Sequence, residues 1–181
     1  KTLIFEGFLF VILSMEKIYL SIGSNLGDKE SNIASCIAML GSYVENTEIR
    51  TSSFYLSEPL YNTNQPTFIN IIVELNTTFT PFQFLDKIYD IEKMLGRSID
   101  REKNAPRTID IDIILFGDAF METPQLTIPH SHALLRKFVL VPLAELVPDK
   151  IFPGTKHKII DLLEKCPDTS AVDKHLIDKK A

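Results

Sequence analysis

The chain has 181 residues, a formal net charge of −5 and 45% apolar residues. That length suits one domain with a sizeable core, and the apolar share, free of charge blocks and low-complexity tracts, excludes a disordered class. The acidic balance argues against a nucleic-acid binder, which carries a basic excess, yet leaves room for a small anionic ligand held by local arginines.

The first stretch, Leu3 to Ser14, is apolar but broken by Glu6. It falls short of the roughly 20 residues a spanning helix needs, so no membrane association is expected. No clean small-x-small cleavage pattern follows it. Met15 stands just before the first well-patterned strand. Residues 1–14 are therefore read as an N-terminal extension outside the core fold, and 15–181 as a single domain. Such a sticky extension is expected to pack on the domain or on a second copy.

Lys17 to Gly23 alternates Ile18, Leu20 and Ile22 with Tyr19 and Ser21, the period of a strand. GSNLGD (Gly23 to Asp28) supplies a turn, with Asp28 as a cap and the backbone N–H groups as a weak candidate anion site. Ile33, Cys36, Ile37 and Leu40 then share one helical face over 29–40, which Gly41 is expected to stop. Two strands follow, 44–56 and 67–75, joined by a polar loop. Thr80-Pro81-Phe82-Gln83 reads as an N-cap, a first-turn proline and a capping-box glutamine, opening a helix that buries Phe84, Leu85, Ile88, Ile91 and Leu95 and ends at Gly96. A charged loop leads into a fourth strand within NAPRTIDIDIILFG (Asn104 to Gly117). The order βαββαβ predicts an α+β, ferredoxin-like core with a mostly antiparallel sheet. A short strand near 125–128 is expected next, and helices over 134–146 (limited by Pro142) and 158–165 are expected to cover the sheet's second face.

Within that fourth strand Asp110 and Asp112 share one face, roughly 6.5–7 Å apart, while Ile109, Ile111 and Ile113 point to the core. Two carboxylates that close repel unless a cation lies between them, and hard oxygen donors suit Mg²⁺ carrying substrate phosphates. On this reading Ile114 and Phe116 keep the carboxylate face only partly wet. The loop before the strand holds Arg97, Arg101, Lys103 and Arg107, a candidate clamp on polyphosphate oxygens. Downstream, His130 and His132 have no Cys or third spaced His beside them, so His130 and Arg136 are read as phosphate contacts rather than a zinc site. Phe68 and Asn70 pair a ring able to stack on a flat heterocycle with an amide able to read its edge. Cys36 and Cys166 are far apart and in no metal spacing, which favours reduced thiols and a cytoplasmic location.

In order and approximate spacing, GSNLGD, SSFY, FIN, LGR, PRTIDIDIILFG, IPH and RKFVLVPLAEL resemble the 6-hydroxymethyl-7,8-dihydropterin pyrophosphokinases of folate biosynthesis over residues 17–165. The resemblance implies transfer of pyrophosphate from ATP to the pterin alcohol, releasing AMP. It implies Asp110 and Asp112 as ligands of two Mg²⁺ ions, and Glu92, Arg97, Arg107, Ile113, Thr127, His130 and Arg136 at ATP. Arg97, Arg107, Asp110 and Asp112 are the implied catalytic set. Phe68 and Phe138 would sandwich the pterin, Asn70 would read its edge, and Ser57 and Leu60 would complete its pocket. The chain departs from better-known members at Asn104-Ala105, where Trp-Gly is usual, near Ile99 and at Lys103, where arginines are frequent, and at Glu58 and Tyr61, which are often Pro and Gly. A monomer or weak homo-oligomer is expected, and fusion or association with other folate-pathway enzymes is common in such proteins. The residues alone leave open another Mg-dependent phosphoryl or nucleotidyl transferase, or a non-catalytic ligand-binding module.

Overall fold

The computed structural model describes residues 2–5, 8–11, 15–44, 48–60, 62–97 and 105–176. Strands β1 (Thr2–Phe5) and β2 (Phe8–Val11) pair with each other, antiparallel, in a two-stranded sheet of their own. The remaining order is β3 (Glu16–Ser24), α1 (Lys29–Tyr43), β4 (Arg50–Thr51), β5 (Phe54–Ser57), β6 (Phe68–Thr77), α2 (Pro81–Met94) and β7 (Asp110–Phe116). After these come β8 (Met121–Glu122), β9 (Thr127–Ile128), α3 (Lys137–Leu146), α4 (Ile159–Glu164) and β10 (Val172–His175).

The main sheet runs β10–β5–β6–β3–β7, with β4 also pairing β6, and every pair is antiparallel. Strand β6 lies between β5 and β3, the split βαβ arrangement of the ferredoxin-like class. Each sheet face has its own helices. Ile18, Leu20, Ile22, Ile71 and Val73 pack with Ile33, Cys36 and Leu40 of α1 and Phe84, Ile88 and Ile91 of α2. On the opposite face Tyr19, Ile72 and Ile114 pack with Val139 and Leu143 of α3 and Ile159 of α4.

The second helix forms as its sequence dictates. Thr80 Oγ1 accepts from the Gln83 backbone N–H while Gln83 Oε1 accepts from the Thr80 N–H, a complete capping box. At its other end Gly96, at φ +80, donates to the Lys93 carbonyl, and Arg97 N–H donates to that of Glu92. This Schellman pair needs a left-handed residue, which glycine adopts without a Cβ clash, and it turns Arg97 back toward the sheet.

Several expectations are corrected. Gly41 does not stop α1, because Tyr43 packs against the core and receives Lys87 over its ring, outweighing glycine's weak helix propensity. The 44–56 strand is two short pieces separated by Ser52 and Ser53, with 45–47 outside the described residues. Pro142 lies inside α3 and does not end it, since Val139, Leu140, Leu143 and Ala144 are buried around it. Residues 133–135 form a separate 3₁₀ turn before that helix. Strand β10, added to the free edge of β5, has no clear alternation and was not expected. Phe116 does not share the carboxylates' face. The ladder pairs Leu20 with Ile113 but Tyr19 with Leu115, so Ile114 is an extra, bulged residue that sends Phe116 to the α1/α2 side. Ile114 does lie on the aspartates' side, as expected.

Candidate active site

Strand alternation assembles the site. On the α3 face, at one end of the sheet, β5 presents Ser57, β6 presents Phe68 and Asn70, β3 presents Ser21 and Gly23, and β7 presents Asp110 and Asp112. These line a cleft of about 220 Å³ with Leu60 and Gln65 from the β5–β6 loop, Arg107, and His130, Arg136 and Phe138 from the approach to α3. Asn70 Nδ2 donates to Ser57 Oγ at 2.8 Å, which orients the amide. A methyl group at Gly23 would stand 2.9 Å from Asn70 Oδ1, so glycine there serves close approach of the amide.

A second cavity of about 350 Å³ lies along the outer edge of β7. Leu85, Tyr89 and Glu92 of α2, Ile111 and Ile113 of β7, Thr127 of β9 and Arg97 line it. Asp112 and His130 line both cavities and mark where they meet. The seven residues expected at ATP thus divide: Glu92, Arg97, Ile113, Thr127 and His130 border the second cavity, whereas Arg107 and Arg136 border the first, beside the carboxylates. All five residues expected at the pterin border the first cavity.

Charge is concentrated at the junction. Arg97 Nη2 and Arg107 Nη2 each lie 2.8 Å from an oxygen of Asp110, and Arg136 Nη1 is 3.8 Å from Asp112. Arg107 is therefore on the aspartates' side, which its loop position allows although strict alternation would place it opposite. Its guanidinium lies 5.3 Å from the Phe68 ring centroid, and that of Arg136 lies 5.8 Å from Phe138. The Nε atoms of Arg107 and Arg136 are buried without a hydrogen-bond partner among the described residues, leaving donors available for an anion. Burial first, then the Asp110 charge, pushes the Asp112 carboxyl up to about 6 against the pull of Arg136, Arg107 and Arg97. About 38% of that side chain still opens to the cleft.

His130 is pushed the other way, down to about 4, by burial and by the neighbouring Arg136 and His132 charges. Its Nδ1 accepts the His132 backbone N–H at 3.2 Å, which leaves the proton on Nε2 as a neutral donor. Glu92, buried on α2, accepts the Ile111 N–H at 2.9 Å with the same Oε1 that pairs with Arg97, joining helix, edge strand and arginine.

At the GSNLGD turn the Asp28 carboxylate itself caps the start of α1, accepting from the Ser31 N–H. Asn25 instead fastens the loops. Its Oδ1 accepts from Arg107 N–H at 2.8 Å, and its Nδ2 donates to Gln65 Oε1 and the Pro66 carbonyl, both at 3.1 Å. The departures at Ile99, Lys103 and Asn104, and Tyr61, lie outside the described residues, as does Arg101. Sequence reasoning gave no site role to Ser21, Gln65 or Tyr89, which line the cavities, and read Gly23 and Asn25 only within the GSNLGD turn and candidate anion site. For Ser21 and Gly23 the signal was present, since they are the small residues at alternate positions of an isoleucine-rich strand.

Fold and cleft together define an α+β protein of the ferredoxin-like class with an acidic pair set among arginines between two cavities. Residues 19–148 match the family model 7,8-dihydro-6-hydroxymethylpterin-pyrophosphokinase (HPPK). The chain is 37% identical over 153 residues to a 2-amino-4-hydroxy-6-hydroxymethyldihydropteridine pyrophosphokinase of Pseudomonas aeruginosa, covering 84% of this chain and 93% of that protein. It is 40% identical over 129 residues to the Bacillus subtilis protein of the same name, covering 71% and 76%. The folic acid synthesis protein fol1 of Schizosaccharomyces pombe is 38% identical over 149 residues, covering 82% of this chain but 20% of its own length. Plasmodium falciparum HPPK-DHPS, solved as wild type with pteroate, superposes with a TM-score of 0.65 at 18% identity, over 84% of this chain and 42% of that one. The chain belongs to the HPPK family.

Proposed function

We infer that this chain transfers pyrophosphate from ATP to the hydroxymethyl group of 6-hydroxymethyl-7,8-dihydropterin, giving the pterin diphosphate and AMP, in folate biosynthesis. Family membership gives the reaction class, and one observation carries its placement: two cavities of different character meet at Asp112 and His130. The first, with Phe68, Phe138 and the Ser57-oriented Asn70, suits a flat heterocycle with polar edges. The second, with apolar and helical walls ending in Arg97 and His130, suits a nucleotide whose phosphates point to the junction.

The pterin hydroxyl oxygen attacks the β-phosphorus of ATP as its proton passes to water, the bridge to the α-phosphate breaks, and AMP leaves with the bridging oxygen. Such transfer depends on positioning and charge neutralisation more than on covalent help from the protein. Arg97, Arg107 and Arg136 supply planar cationic donors for phosphate oxygens, two of them with a buried, unused Nε–H. His130 adds an uncharged Nε2–H. Asn70, Ser57 and Leu60, with the rings of Phe68 and Phe138, hold the pterin so that its hydroxymethyl arm reaches the junction. Glu92 keeps Arg97 and the edge of β7 in place.

The carboxylates of Asp110 and Asp112 fit Mg²⁺. They are hard oxygen donors on one face of one strand, and burial together with the neighbouring Asp110 charge raises the Asp112 carboxyl, a cost that a cation between the two carboxylates would offset. We assign two Mg²⁺ ions to them; when bound, these would neutralise phosphate charge and lower the pKa of a coordinated hydroxyl.

Cys36 and Cys166 are both free thiols, and among the described residues no helix is long and apolar enough to cross a membrane. With a folate-pathway substrate these support a cytoplasmic placement. Residues 15–181 as one domain, with 1–14 outside the core, agree with the separate pairing of β1 and β2. Since fol1 and HPPK-DHPS are much longer than this chain, association with other folate enzymes fits this reading. The deciding assay incubates the chain with ATP and the pterin alcohol, with and without Mg²⁺, and identifies the nucleotide product. AMP formed only with Mg²⁺ is expected; ADP, or no product, overturns the assignment.

A further inference from the structure

Two of the motifs, SSFY and RKFVLVPLAEL, carry polar residues that no substrate contact explains. They meet at Glu145, near the end of α3. Its Oε2 accepts the Ser53 backbone N–H at 2.8 Å and the Tyr55 hydroxyl at 3.1 Å. Its Oε1 accepts the Ser53 hydroxyl at 2.7 Å and the Lys174 Nζ of β10 at 3.3 Å. Burial raises the carboxyl, but the donors of Ser53, Tyr55 and Lys174 outweigh it and hold the group below the usual carboxylate range. A glutamate on a helix is ordinarily a solvated side chain; this one joins α3 to β5 and β10. The serine pair prepares the contact. Ser52 bonds inward, its N–H donating to Ile72 of β6 and its hydroxyl accepting from it. Ser53, at the break between β4 and β5, turns its N–H to the helix instead.

Both elements lead from this carboxylate to the first cavity. Phe138 precedes Glu145 by seven residues, two helical turns, so the two share one side of α3 about 10.5 Å apart along its axis. On β5, Tyr55 and Ser57 share the face toward α3, and in the ladder they stand opposite Asn70 and Phe68 of β6. We propose that Glu145 is a positioning residue for the pterin: by fastening α3 to Ser53 and Tyr55 it sets the gap between Phe138 and the strand pair that carries Ser57, Phe68 and Asn70. It touches neither substrate and acts through the seats of Phe138 and Ser57. The gap matters because a separation wider by roughly 0.5–1 Å forfeits a quarter to a half of the dispersion attraction at a stacked face. The proposal rests on the assignment of the first cavity to the pterin.

Calorimetric titration with 6-hydroxymethyl-7,8-dihydropterin, in the presence of Mg²⁺ and a non-hydrolysable ATP analogue, tests it on the wild type, Glu145→Ala, Glu145→Gln and Tyr55→Phe. Ile33→Val, in α1 under the opposite sheet face, is the reference for lost stability alone. Glu145→Ala is expected to weaken pterin binding roughly five- to tenfold, the worth of one hydrogen bond. Glu145→Gln keeps an oxygen for Ser53 and should recover most of that loss. Tyr55→Phe should weaken binding less, and add nothing in the Glu145→Ala background. Steady-state kinetics should show a raised pterin KM, with kcat and the KM for ATP close to wild type. Ile33→Val should lower the thermal midpoint and leave pterin affinity intact. Unchanged pterin affinity in Glu145→Ala, or in Tyr55→Phe where Glu145→Ala fails to fold, overturns the positioning role and leaves the cavity assignment standing. Equal loss of affinity in Glu145→Ala and Ile33→Val overturns it too, because stability alone would then account for the effect. A wild type that binds no pterin overturns both.

Discussion

Gly23 offers a demanding test because the structure assigns it a job different from the one its sequence suggests. In the sequence it closes the strand read over Lys17 to Gly23 and opens the GSNLGD turn; in the structure it lies within β3, opposite Asn70 on one side and Asp110 on the other. Replacing it with alanine would place a methyl carbon 2.9 Å from Asn70 Oδ1 and 3.6 Å from the Phe68 ring. The amide must swing away, breaking its 2.8 Å bond to Ser57 Oγ, in a place where Asn70 is 3% and Ser57 5% exposed. Leaving such a buried pair unsatisfied costs about 1–3 kcal/mol. A midpoint of thermal unfolding lower by roughly 2–4 °C per kcal/mol is expected for a domain of this size. The same rotation misdirects the amide proposed to read the pterin edge. Loss of about 1.4 kcal/mol there, one good hydrogen bond, weakens pterin binding by roughly tenfold, with ATP binding unchanged. Calorimetric titration of Gly23→Ala with the pterin, paired with thermal unfolding, measures both effects. In an Asn70→Ala background the added methyl group should cost almost nothing, since the group it displaces is gone. Unaltered pterin affinity and stability in Gly23→Ala, or an equal penalty in both backgrounds, would refute the reasoning.

Three further outcomes are expected. Between about pH 4 and 6, Asp112 and His130 should oppose each other in the stability profile. Folded Asp112, raised from 3.8 to about 6, binds a proton the unfolded chain does not, so its contribution falls as pH rises; His130, lowered from 6.5 to about 4, contributes stability present above 6.5 and lost as pH falls through 4. Denaturant unfolding across pH 4–7 should therefore rise more steeply with pH in Asp112→Asn and less steeply, or fall, in His130→Gln; matching slopes in the wild type and both variants would contradict the assignment. Asp168 caps α3 from a distant segment, accepting the Lys137 N–H at 2.8 Å and the Ser170 N–H at 2.9 Å. Asp168→Ala should cost about 1 kcal/mol, as loss of a helix cap does, and raise the pterin KM through the adjacent Phe138, while the KM for ATP stays put. Phe68→Ala and Phe138→Ala should each weaken pterin binding by about 1–3 kcal/mol, the size of a lost aromatic stack, and calorimetry showing no change would remove the sandwich.

The local physics of the chain was legible in its residues. Period-two alternation placed Ile109, Ile111 and Ile113 in the core and Asp110 and Asp112 on the other face, as the structure has them. The capping box at Thr80 and Gln83 and the turn at Gly96 need only neighbours within a few residues, and both form. Features that failed to show are those in which a distant partner decides. Tyr43 carries α1 past Gly41, the buried surroundings of α3 carry it through Pro142, and β10 exists because β5 offers an open edge. The bulge at Ile114, which moves Phe116 off the carboxylate face, is a property of the β3–β7 ladder and leaves no mark in either strand alone.

The sequence by itself determined that Asp110 and Asp112 stand together on one strand face, that arginines precede and follow them, and that a ring and an amide stand two residues apart in another strand. Each of these follows from spacing along a single element. Only the tertiary structure decided that the residues border two cavities sharing Asp112 and His130, that Arg107 and Arg136 stand on the side of the first, and that Asn25 ties the loops across it. Those relations depend on which strands become neighbours and in what register. That choice is made by burial of both sheet faces at once, and no stretch of chain carries it alone.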